Sequence, residues 1–198
     1  MTLQRSEKGN SKKINGRKER FHGQMIIFAS MKEERSEKYE TLCAQIDSLI
    51  AGEHHLMGVL ANVTAALHDA FPERFFWVGF YLVADGALQL GPFQGPVACY
   101  RIAKGRGVCG TAWDRAEMVV VEDVDRFPGH IACSSLSRSE VVVPLRKMVP
   151  EVNAGEPSAA CEVVGVLDID SRELAAFDAT DAFYLEKIVK ILCNRLEF

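Results

Sequence analysis

No apolar run in this chain approaches the roughly 20 residues that a membrane-spanning helix requires, so no membrane span is expected. Nor does a run of signal-peptide length stand near the start: Met25-Ile26-Ile27-Phe28-Ala29 is short and lies behind a polar stretch. A surplus of positive charge is missing as well. The formal net charge of −4 argues against the basic face with which a protein tracks nucleic-acid phosphates. There is no Cys-x-x-Cys pair, which leaves His130 and Cys133 as half of a zinc site with no second half. These absences set the expectations: a cytoplasmic protein with no membrane, nucleic-acid or metal partner.

What is present is ample apolar material, 48% of 198 residues, enough for one domain with a real core. Six cysteines could be read as three disulfides, but such a framework belongs to small domains in an oxidising compartment. Neither condition fits, so the thiols are expected to be reduced at rest.

Residues 1–31 carry many Lys, Arg, Ser, Gly and Asn and few large apolar side chains, and are expected to form a flexible basic tail. An address or anion-binding arm running from Lys12 to Arg20 is the alternative for this stretch. From Lys32 the pattern turns helical, with Tyr39, Leu42, Ile46 and Leu49 at three- and four-residue steps, and a second helix carries Leu56, Val59, Leu60, Val63 and Leu67. Phe75 to Leu82 reads as a buried strand, turned by Asp85-Gly86 into a second strand at Leu88-Gln89-Leu90. Further strands are expected at Val97–Ile102, Met118–Val121, Glu140–Leu145 and Val163–Asp170, with a short helix from about Val108 to Arg115. A long polar loop runs from Val124 to Ser139, and loops of that length are usually functional. A last helix is capped by Asp178 and striped by Leu185, Ile188, Val189, Leu192 and Leu196. The class is α+β: one domain over residues 32–198, a mostly antiparallel sheet flanked by N- and C-terminal helices, with an excursion at 147–161.

Gly105-x-Gly107-x-x-Gly110 matches a dinucleotide fingerprint literally, yet only about ten residues separate Gly107 from the next strand, too few for the crossover helix. The glycines more naturally supply a tight turn before a helix whose first amides could hold an anion such as a carboxylate. Cys43 and Cys193 fall on apolar helix stripes as small core residues, and Cys161 has no evident role. Cys99, Cys109 and Cys133 sit where a thiolate could be exposed, Cys109 at a helix start that would lower its pKa. His54, His55 and His68 occupy exposed or helix-end positions and need no special role. Asp168 and Asp170 alternate along a strand and so share a face. Two readings stand: an exposed strand end leading into Ser171-Arg172, or a pair that joins Glu140 to bind a cation or deliver a proton.

The ordered set Trp77-Val-Gly-Phe-Tyr81, Leu90-Gly-Pro-Phe-Gln-Gly95, Gly105 to Ala112, Gly129-His-Ile-Ala-Cys133, Ser139-Glu140 and Gly165 to Ser171 resembles the free methionine-(R)-sulfoxide reductases, which are built on a GAF domain. The resemblance runs from about Glu37 to Leu196. It implies reduction of free methionine sulfoxide with no cofactor and with a thioredoxin-type reductant. By position it implies Cys133 as nucleophile, Cys99 as resolving cysteine and Cys109 as third cysteine. Glu140, Asp168 and Asp170 become the carboxylates of the substrate site, Trp77 the wall for the methyl group, and Tyr81 its neighbour. A homodimer is left open. Because many GAF domains only sense small molecules, a binding module or a redox sensor is the competing class, and the thiol and acid constellation is what favours an enzyme.

Overall fold

A computed structural model describes residues 29–131, 133–148 and 161–198. The expected tail as far as residue 28, and most of the excursion, residues 149–160, lie outside the described residues. Helix α1 spans residues 29–49, three residues earlier than expected, because Ala29, Ser30 and Met31 include no Gly or Pro to break the helix. The described chain falls into two units divided after Tyr39, and the second, Glu40–Phe198, contains all the described strands.

Helix α2 (Leu56–Ala70) leads into β1 (Trp77–Ala84), which the Asp85-Gly86 turn joins to β2 (Ala87–Gln94). Both turn residues have positive φ, 49° and 71°, the backbone of the tight turn that suits the right-handed twist of a hairpin. The strand expected at Val97–Ile102 shrinks to β3 (Arg101–Ile102). Val97 is 84% exposed, and the segment before Arg101 runs as a loop that reaches across to Cys133. Helix α3 (Gly107–Arg115), β4 (Val119–Val121), a 3-10 turn (Val124–Arg126), β5 (Ser139–Met148), β6 (Cys161–Ser171) and α4 (Ala179–Arg195) complete the order.

The six strands form one antiparallel sheet in the order β3-β2-β1-β6-β5-β4. Period-two alternation divides its side chains. Val78, Phe80, Val141, Val143, Leu167 and Ile169 lie on one face, the side of α2 and α4, and all are buried. Trp77, Tyr81, Val142 and Val166 lie on the other and cluster with Val108, Cys109 and Ala112 of α3. In α1, Leu42, Cys43 and Ile46 are buried, as is Ile50 just after it, whereas Leu49, expected on the stripe, is 42% exposed at its edge. The start of α4 is locked twice. Asp178 and Asp181 form a reciprocal capping box, and Arg74 donates Nη1 and Nη2 to the buried Asp181 at 2.9 and 3.0 Å. No helix among the described residues is long and apolar enough to cross a membrane.

Candidate active site

Three central strands bring the predicted acids and aromatics onto one face. The register pairs Trp77 with Asp170, Gly79 with Asp168, and Glu140 with Asp170. Alternation therefore aims Glu140, Asp168, Asp170, Trp77 and Tyr81 at the same side, beneath the start of α3. A cleft open at its mouth lies there, with an interior of about 40 Å³, and all five line it together with Cys109 and Cys133.

The aromatic wall rests on a missing side chain. A Cβ at Gly79 would fall 2.7 Å from Trp77 Cη2 and collide with Phe93 Cβ, so bare backbone lets the indole lie flat along β1. Trp77 then stacks on Phe93 at 5.5 Å and on Tyr81 at 6.0 Å between ring centroids, and donates Nε1–H to the Pro96 carbonyl at 3.0 Å.

At the opposite wall the glycine turn behaves as expected. Gly107 opens α3 with φ of +61°, and a Cβ there would press within 3.2 Å of Ile131. Ile131 thus seats on the turn and brings the loop that carries Cys133 against α3. No side chain caps the N-terminus of α3, and Gly107, Val108 and Cys109 line the cleft.

Cys99 and Cys133 are joined by a disulfide with Cα atoms 5.9 Å apart, inside the range that a bridge requires. Cys133 is exposed and Cys99 partly buried, so the bridge sits at the rim. This bond withdraws Cys133 from the zinc half-site with His130. The expectation for Cys109 is corrected. Its thiol is buried under β5 and β6 with Sγ 3.9 Å from Glu140 Oε1, and burial first, then Asp168 and Glu140, push its pKa up rather than down. Proximity to a helix N-terminus does not outweigh that desolvation.

The strand-end reading of Asp168 and Asp170 is also corrected, because Asp168 and Glu140 are each only 6% exposed and Asp170 is half-buried. Burial raises all three carboxyl pKa values, and mutual repulsion raises those of Glu140 and Asp168 further. Asp170 is pushed up to about 6 by burial, opposed by the Ser137 hydroxyl that donates to its Oδ1. Asp168 Oδ1 is buried and accepts no hydrogen bond among the described residues. Donor atoms of Cys109, Glu140 and Asp168 lie within 4.8 Å of one another, the one such group among the described residues that could present ligands to a cation. Two buried carboxyl groups this close, with Asp170 beside them on the same face, do not all ionise near neutrality, so the cluster retains a proton while presenting negative charge. Such a floor can both attract a cation and protonate a nearby oxygen.

Ser137 escaped the reading of the sequence, Gly79 and Phe93 entered it only inside the family motifs and without a role, and His130 was weighed only as a metal ligand. Ser137 lies in an aperiodic loop where no pattern marks it. His130 Nε2 stands 3.9 Å from Glu140 Oε2, its side chain 15% exposed. Burial lowers its pKa, opposed by Asp125.

No family model matches the chain. It is 52% identical over 161 residues to GAF domain-containing protein A of Dictyostelium discoideum, covering 81% of this chain and 93% of that protein. It is 41% identical over 155 residues to the free methionine-R-sulfoxide reductase of Escherichia coli, covering 78% and 86%. Among solved structures it resembles the Neisseria meningitidis free methionine-R-sulfoxide reductase in complex with its substrate, at 50% identity and a TM-score of 0.71, covering 81% and 89%.

Proposed function

The chain belongs to the free methionine-R-sulfoxide reductase family, and from that premise we propose how its own residues carry the reaction. It is a GAF-fold oxidoreductase that reduces free methionine-(R)-sulfoxide to methionine. The observation that carries the finer reading is the Cys99–Cys133 disulfide at the rim of a cleft floored by the buried carboxyl groups of Glu140 and Asp168 and the half-buried one of Asp170.

Cys133, as thiolate, attacks the sulfoxide sulfur, and a carboxylic acid of the cluster protonates the oxygen as it leaves. Two electrons pass from the Cys133 sulfur to the methionine sulfur. The protonated oxygen passes, as hydroxyl, from the methionine sulfur to the Cys133 sulfur while the newly formed sulfur–sulfur bond breaks, so Cys133 becomes a sulfenic acid and methionine departs. Cys99 then attacks the Cys133 sulfur, and the hydroxyl leaves as water with the proton of the Cys99 thiol. A dithiol reductant of the thioredoxin type, which a cytoplasmic setting would supply, breaks the resulting disulfide and becomes a disulfide itself.

The cleft suits the rest of the amino acid as well. Trp77 offers a flat apolar wall to the S-methyl group, Asp170 offers charge to the α-ammonium, and the first amides of α3 face the α-carboxylate. Specificity for the free amino acid follows from the ammonium contact. Capping the amine removes one charge-assisted contact worth about 1.5–3 kcal/mol, so kcat/KM for N-acetylmethionine-(R)-sulfoxide should fall roughly tenfold to a hundredfold or more. Steady-state assays of both substrates with excess dithiol check this, and equal efficiencies would contradict the assignment.

A further inference from the structure

The two oxygens of Glu140 have different neighbours. Oε1 lies 3.9 Å from the sulfur of Cys109, which lines the cleft, while Oε2 lies 3.9 Å from His130 Nε2. His130 is otherwise unused by the reaction. It stands three residues before Cys133 in the loop that Ile131 seats on Gly107, its backbone N–H bonded to the Phe127 carbonyl at 3.1 Å. One loop therefore carries both the attacking sulfur and the side chain beside the acid.

A carboxylic acid has one proton and two oxygens, and only the proton on the correct oxygen reaches the substrate. We propose that His130 is a positioning residue: by donating Nε2–H to Glu140 Oε2 it holds the carboxyl in place and leaves the acidic proton on Oε1, toward the sulfoxide. The inference rests on the reading of Glu140 as part of the acid cluster. The present separation is about 1 Å beyond hydrogen-bond length, and such contacts commonly tighten when substrate fills a site. The other charged groups near His130 are Asp125 on the 3-10 turn, Asp168 and Asp170 on β6, and Arg106 at the start of α3. Among the described residues, Glu140 is the one whose charged atoms lie within 4 Å of the His130 ring nitrogens. Because nucleophile and positioning residue share a loop, seating that loop over bound substrate would set the attacking sulfur and the acid's proton together.

The test is single-turnover methionine release from the reduced chain over a range of substrate concentrations. In His130→Leu, which fills the same space without a donor, the maximal rate should fall about tenfold to a hundredfold, with half-saturation changed less than about threefold. In His130→Gln, whose amide can donate to Oε2, most of the rate should return. The double variant His130→Leu/Glu140→Gln should be no slower than Glu140→Gln alone, since both changes act through one group. A wild-type rate in His130→Leu, equal losses in the Leu and Gln variants, a loss confined to half-saturation, or additive losses in the double variant would each overturn the proposal. A wild-type rate in Glu140→Gln would instead overturn the acid reading beneath it.

Discussion

Cys133→Ser should release no methionine even in the first turnover, whereas Cys99→Ser should release about one methionine per chain and then stall with thioredoxin. The first result follows from nucleophilicity: a serine hydroxyl at its normal pKa cannot replace a thiolate at sulfur. The second follows from the order of steps, since Cys99 is needed only after Cys133 has become a sulfenic acid. Cys109 is a poor substitute for Cys99. Its sulfur is buried against Glu140, and burial holds its thiol protonated. Rapid-quench measurement of methionine per chain distinguishes the two variants, and a full burst from Cys133→Ser would reverse their roles.

Glu140→Gln and Asp168→Asn should each lower turnover by about 10²–10⁴, because the departing oxygen then loses its proton donor. Both acids should be protonated near neutrality, as burial and mutual repulsion raise their pKa values, so turnover should fall on the alkaline side as the cluster loses its proton. The same arrangement lowers stability. Asp170 binds its proton more tightly folded, with a pKa of about 6, than unfolded, where it is near 3.8. Its destabilising effect is absent below about pH 4, grows as pH rises, and is complete above about pH 6, reaching on the order of 2–3 kcal/mol. Asp170→Asn should therefore be more stable than the parent at pH 7.5 and no more stable at pH 4, as read by denaturant unfolding. Equal stability at both pH values would show that the cluster carries no such strain.

Local patterns made much of the frame legible. Asp85-Gly86 marked the hairpin because both positions need positive φ, and Asp178 marked the start of α4 because its carboxylate can cap free amides. Alternation put Asp168 and Asp170 on one face, but not which face was covered. That depends on α3, which crosses the sheet only because the chain turns at Gly105 and Gly107. Cys109 was misjudged for the same reason: its place at a helix start is local, whereas its burial under β5 and β6 is a tertiary outcome. Val97 and Ala98 suggested a strand by composition, while the bridge from Cys99 to Cys133 draws that segment away from β2. The pairing itself came from family resemblance, since spacing alone could not choose among three cysteines.

That Cys133 and Cys99 are the redox pair of this cleft can be measured directly, by peptide mass mapping of the fully reduced chain after reaction with one equivalent of free methionine-(R)-sulfoxide and no external reductant. One methionine released and one Cys99–Cys133 disulfide formed per chain are expected, with Cys109 still a free thiol. Methionine released with Cys133 still a free thiol would contradict the pairing.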